Sequence, residues 1–262
     1  MLRSLMTAAS GMRAQQLQVD TIANNIANVN THGFKRTRLS FSSLLYETLR
    51  EPGAPVSATQ VDATGLQIGT GTEISGSLRV FEQGAMEPTG GALDLAIQGP
   101  GFFRVQLPNG EDRYTRNGSF RLDAQGRFVT TEGYTLAGAP PIPDGAINIV
   151  VAEDGTVAYL DAADGEPQTL GQLELSRFSN PTGLKAQGGN YLSETISSGA
   201  RTGATPGQDG AGTIQQGQLE RSNVSAVDEL VGLIVAQRNY EVNSRAIRVS
   251  DEMLQQVNQL VQ

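Results

Sequence analysis

Apolar residues recur every seven positions at both ends of this chain, and the stretch between them reads as glycine-punctuated β-structure. Near the N-terminus Leu5, Met12, Val19 and Ile26 form one stripe, with Ala8, Ile22 and Val29 beside it. Near the C-terminus Ala226, Leu233, Tyr240, Ile247, Leu254 and Val261 repeat the spacing. A sustained seven-residue period is the pattern of helices that pack lengthwise as a coiled coil. The first pattern predicts a helix over 2–29, about 42 Å long at 1.5 Å per residue. Thr31-His32-Gly33 closes it, with Gly33 suited to the left-handed conformation that ends helices. The second predicts a helix of about 35 residues, opened by Ser225 three positions before Asp228 as in a capping box. A further apolar stripe runs along that second helix: Val231, Val235, Val242, Ala246, Val249, Met253, Val257 and Leu260. A helix apolar on two sides needs two neighbours to cover it. The N-terminal helix covers one stripe; the other is left for a different subunit.

Between the helices, 34–75 has no clean period. It carries Leu44, Leu45, Leu49, Leu66 and Ile68 around Pro52 and Pro55, and reads as an extended connector with brief helix and strand pieces. Gly65, Gly69 and Gly71 read as a set of backbone turns. Further on, Asn109-Gly110, Asn117-Gly118, Asp144-Gly145, Asp154-Gly155 and Asp164-Gly165 punctuate short apolar runs. Such dipeptides supply the positive φ of hairpin turns, which argues for an antiparallel all-β domain. The expected fold is therefore α+β. Terminal segments 1–33 and 223–262 pair as a coiled-coil-like polymerisation domain, 34–75 and 200–222 connect, and 76–199 is an inserted β-rich domain.

Charge and composition narrow the function. The net charge is −8, but residues 1–50 carry six basic side chains against two acidic ones, and the rest thirteen against twenty-five. No broad basic field exists, so a nucleic-acid partner is not expected. With no cysteine and a single histidine, His32, the chain offers neither thiolate nor multi-histidine metal sites. His32 reads as a favourable charge at a helix end. Asp161 and Asp164 lack the spacing of a calcium loop and read as turn residues. No cofactor, metal or catalytic constellation is expected. The N-terminus is too interrupted for a cleaved signal peptide, and no apolar run reaches the roughly 18 residues of a membrane span. Asn24, Asn25 and Asn28 stand out inside the first helix, where asparagine has poor propensity. They are either a solvent-facing strip or interhelical hydrogen bonds that fix register; the shared face of Asn24 and Asn28 favours the second.

The run Ile22-Ala23-Asn24-Asn25-Ile26-Ala27-Asn28-Val29-Asn30-Thr31-His32-Gly33-Phe34-Lys35-Arg36 resembles the N-terminal signature of bacterial flagellar rod and hook proteins. The resemblance continues through 65–71, Gly99-Pro100-Gly101-Phe102-Phe103 and 114–120, and closes with 219–224 and 237–244. Length and Gln67-Ile68-Gly69-Thr70-Gly71 place it nearest the distal rod members; proximal rod or hook-related axial proteins are the alternative. A secreted β-rich binding module would not need heptads at both ends. The resemblance implies a non-enzymatic structural subunit, a tubular homopolymer with the terminal helices as inner layer and the β domain outward. It implies a drive shaft crossing the periplasm, exported by the flagellar type III apparatus without a cleaved signal. Its partners would be proximal rod proteins, the hook protein, and bushing rings in the peptidoglycan and outer membrane. The polymer contacts would come from Leu5, Met12, Val19, Asn24, Asn25, Ile26, Asn28, Leu233, Tyr240, Ile247 and Leu254. Leu44, Leu45, Leu49, Leu66 and Ile68 would stiffen the shaft.

Overall fold

The computed structural model describes residues 2–52, 55–57, 60–61, 64–143, 145–146, 148–160 and 167–260. Asp144, Asp161, Asp164-Gly165, Val261 and the Leu260 side chain, all used in the sequence reading, lie outside the described residues. The architecture is α+β, with a long helix at each end and antiparallel β-structure between them. Two compact units form: Met1–Ala27 with Thr37–Leu78 and Ser225–Gln262, and Asn28–Arg36 with Arg79–Val224.

In the first unit, helix α1 spans Leu2–Ala27 and helix α2 spans Ala226–Leu260. Ser225 caps α2 as its sequence suggests, its Oγ accepting from the Asp228 N–H at 3.4 Å. The stretch expected to be an extended connector with brief helix and strand pieces forms paired strands over much of its described length. Strand β1 (Thr37–Ser43) pairs with Thr72–Arg79, and strand β2 (Tyr46–Arg50) pairs antiparallel with Leu66–Gly69. The 65–71 segment, expected as turns, thus contributes a strand. Its glycines concealed this, because they lower β propensity without forbidding the pairing. Ser10 of α1 anchors the ribbon: its Oγ donates to the Thr7 carbonyl at 2.8 Å and accepts the Thr72 N–H at 3.2 Å.

The second unit holds a seven-stranded antiparallel sheet among the described residues. Its order is Arg121–Leu122, Phe128–Val129, Thr135–Leu136, Phe103–Gln106, Asp112–Thr115, Tyr191–Ser193 and Lys185–Gly188. A three-stranded sheet (Asn148–Val151, Thr156–Leu160, Gln168–Gln172) accompanies it. Side chains alternate along the central strand, Phe103 and Val105 inward and Gln106 outward, as a half-buried sheet requires. The core is Leu95, Ile97, Phe103, Val105, Phe128, Val157, Leu175 and Ile214 with their neighbours. A separate aromatic cluster stacks Phe102 edge-on against Phe81 and Phe178, with Tyr114 against Phe178.

The turn dipeptides divide into two kinds. Asn109-Gly110 and Asp154-Gly155 close hairpins with Gly at φ +83° and +81°. Asn117-Gly118 does not. Gly118 is there because a Cβ would lie 1.6 Å from the Leu95 carbonyl oxygen, so the glycine admits a close backbone approach instead of a positive φ.

Candidate polymerisation surface

Helices α1 and α2 pack against each other inside the first unit. Ser4 Oγ lies 3.4 Å from Ser250 Oγ. A Cβ on Gly11 would meet the Asn243 amide at 2.8 Å, and one on Gly232 would meet Ile22 at 3.4 Å. Facing positions rise on one helix as they fall on the other, so the pair is antiparallel. The C-terminal stripe read from the sequence is the inward one: Ala226, Leu233, Ile247 and Leu254 are half-buried, and Tyr240 remains more open. On α1 the deepest apolar positions are Ala8, Ala14 and Ile22, with Leu5, Met12, Val19 and Ile26 half-buried around them. Sequence reasoning missed the partner row on α2, which is Glu229, Ala236, Asn243 and Ser250. It recurs every seven residues three places after the apolar row, and was passed over because most of it is polar.

The second stripe of α2 is uncovered. Val231 is 57% exposed and Val242 61%, and Val235, Ala246, Val249, Met253 and Val257 are likewise open. Val227, Leu230 and Ile234 widen the same apolar surface. Exposed contiguous apolar area of this kind marks an association site. The ribbon adds to it. Leu45 is 89% exposed, Leu49, Leu66 and Ile68 are open, and so are Phe41 and Tyr46. Leu44 instead turns inward to line a groove of about 580 Å³ with Ala9, Arg13, Leu17 and Ile74.

The three asparagines do different work. Asn25 is 1% exposed, and its carboxamide grips one residue: Oδ1 accepts the Thr37 N–H at 3.0 Å and Nδ2 donates to the Thr37 carbonyl at 2.9 Å. Its hydrogen bonds therefore fix where the ribbon starts and do not run to the other helix. Asn24 is exposed, and Asn28 accepts from the Thr31 hydroxyl at 3.2 Å beyond the end of α1. His32 lies in that turn, Nε2 4.0 Å from Glu87. Among the described residues no group of side chains could hold a metal ion, and no helix is long and apolar enough to cross a membrane.

The same segments carry the likeness to known proteins. Three family models match in order along the chain: "Flagella basal body rod protein" over 5–35, "Flagellar hook protein FlgE/F/G D1 domain" over 96–159, and "Flagellar basal body rod FlgEFG protein C-terminal" over 215–260. The flagellar basal-body rod protein FlgG of Borreliella burgdorferi is 47% identical over 262 residues, covering 99% of each chain. The chain belongs to the flagellar basal-body rod protein family. FlgG of Caulobacter vibrioides is 46% identical over 260 residues, again 99% of both chains. The hook-basal body complex protein FlhP of Bacillus subtilis is 32% identical, covering 98% of this chain and 99% of its own. This is a structural subunit of the basal-body distal rod, from a family not known to be enzymatic. The rod and C-terminal models fall on α1 and α2, the second of which carries the uncovered apolar stripe.

Proposed function

We propose that this rod protein polymerises with itself into a rigid tube that crosses the periplasm and carries motor torque to the hook. In this reading α1 and α2 pair in the manner of a coiled coil and, as the polymerisation domain, build the inner layer of the tube. The intervening β-structure acts as an inserted domain. The observation that carries the reading is the second apolar stripe of α2, which α1 leaves open to solvent. Contacts between unlike surfaces of identical subunits do not close on themselves and generate helical polymers. The seam and ribbon residues identified from sequence are the proposed contacts. The proposed partners are further copies, proximal rod proteins, the hook protein, the peptidoglycan and outer-membrane rings and the type III export apparatus. Electron microscopy of the concentrated full-length protein tests this directly. Uniform tubes are expected; monomers or shapeless aggregate at the same concentration would reject it.

A further inference from the structure

The second unit contains a small cavity of about 10 Å³, room for one water-sized group, lined by Lys35, Arg79, Arg116 and Asn190 with Gly33, Phe81 and Leu192. Three cations face it. The buried carboxylate among them is Glu220, 1% exposed. Its Oε1 accepts from Lys35 Nζ at 2.6 Å and from the Gly84 N–H at 2.9 Å, while its Oε2 lies 3.5 Å from Arg116 Nη1 as an ion pair and makes no hydrogen bond. Lys35 spends a second donor on the Glu82 backbone carbonyl at 2.6 Å, while the Glu82 residue itself is exposed. Arg116 gives its Nη atoms to the Ile97 and Gly99 carbonyls, yet its buried Nε has no hydrogen-bond partner. Among the described residues Arg79 makes no hydrogen bond and no ion pair. Burial alone draws its guanidinium below the usual arginine range.

Lys35 and Arg116 are buried and Arg79 is half-buried, so three positive charges meet one buried carboxylate, an imbalance that a bound anion would relieve. We propose that this cavity is a binding site for a small monovalent anion, chloride-sized or the tip of a carboxylate, held chiefly by Arg79 and Arg116. Two sources share that chemistry, a free ion and an acidic side chain of a second copy. The cavity's size rules against phosphate-class ions, and the planar fork of Arg79 with the remaining Nε–H of Arg116 suits either source.

The test is thermal unfolding of the full chain in sodium chloride against sodium gluconate at one ionic strength, for wild type, Arg79→Gln and Arg79→Lys. Wild type should gain at least about 2 °C in chloride, with a saturable dependence. Arg79→Gln should lose that gain and be no less stable than wild type in gluconate, because the surplus cation is gone. Arg79→Lys should keep part of the gain. Bromide in crystals of the full chain should give an anomalous peak beside Arg79 and Arg116. Halide stabilisation of the free subunit that persists in the polymer identifies the free ion. Stabilisation of the free subunit combined with halide inhibition of assembly identifies a neighbour's carboxylate. Equal melting of wild type in both salts, or an Arg79→Gln chain that responds to chloride as wild type does, would overturn the site.

Discussion

Glu220 holds together three separate segments of the second unit: the 33–35 turn, through Lys35 and, by its own carbonyl, the Gly33 N–H at 2.8 Å; Gly84; and Arg116. Replacing it with glutamine leaves the amine of Lys35 and the guanidinium of Arg116 buried without a counter-charge, a change that costs about 3–5 kcal/mol. Denaturant unfolding of Glu220→Gln should show that loss; a change below about 1 kcal/mol would mean the carboxylate is not the organising charge. At the surface, Asp123 makes a smaller, pH-dependent contribution. The Arg127 backbone N–H, followed by the Arg127 side chain and the Gln125 N–H, holds its carboxyl below the ordinary carboxylate value. A depressed carboxyl stabilises the folded turn above its unfolded pKa of about 3.9, and that contribution is lost as pH falls through the folded value. Protection of the Gln125 and Arg127 amides, taken as exchange relative to the intrinsic rate at each pH, should therefore fall below about pH 4, and Asp123→Asn should flatten this response. Neither Glu220 nor Asp123 stands out in the sequence, because each depends on donors supplied by the fold around it. The glycines teach the same lesson. Asn109-Gly110 is a local turn and can be read from two letters, whereas Gly118 answers to the Leu95 carbonyl, more than twenty positions away in sequence.

Among the elements, the helices were the most legible because their period is internal to them. α2 begins and runs as its capping box and heptads imply, and α1 stops at Ala27, two residues short of the expected end. The ribbon was hidden because β1 and β2 pair with strands some thirty and twenty residues further on, which no local period reports. The two faces of α2 can now be separated by substitution. Leu233→Asp and Ile247→Asp place a carboxylate in the half-buried seam with α1, where lost apolar contact and partial desolvation cost roughly 1–3 kcal/mol. Both should lower the helical content of the subunit as well as its assembly. Val235→Asp and Val249→Asp lie on the uncovered stripe, so they should keep subunit helicity within about 10% of wild type while blocking polymer formation. Circular dichroism and sedimentation of the four variants decide this. Normal tubes from Val235→Asp and Val249→Asp would show that the outer stripe is not an interface.

For the molecule as a whole, the α+β class and the family followed from spacing and motif order along the chain, whereas the way the middle of the chain divides did not. The ribbon from Thr37 to Leu78 belongs to the same compact unit as the helices, although its sequence reads as a connector. In the proposed tube, membership of the helical unit would give the ribbon a mechanical role. A shaft under torque must resist bending, and stiffness depends on contacts that cannot slide between neighbouring subunits. Leu45, Leu49 and Leu66 are exposed on the ribbon; paired strands present Leu49 and Leu66 with little backbone freedom, and Leu45 stands directly before β2. Each leucine fully buried against a neighbour contributes roughly 1.5–3 kcal/mol relative to exposure. In the proposed tube such contacts, summed over many subunits, would add to its resistance to bending. The triple variant Leu45→Ser, Leu49→Ser and Leu66→Ser should leave the α1–α2 seam and the outer stripe of α2 intact, so tubes should still form. Their bending persistence length, measured from micrographs, should fall at least about twofold if each leucine contact is worth the transfer energy above. Tubes as straight and stiff as wild type would show that the ribbon's leucines do not lock neighbouring subunits, and would return the stiffness of the rod to its helices alone.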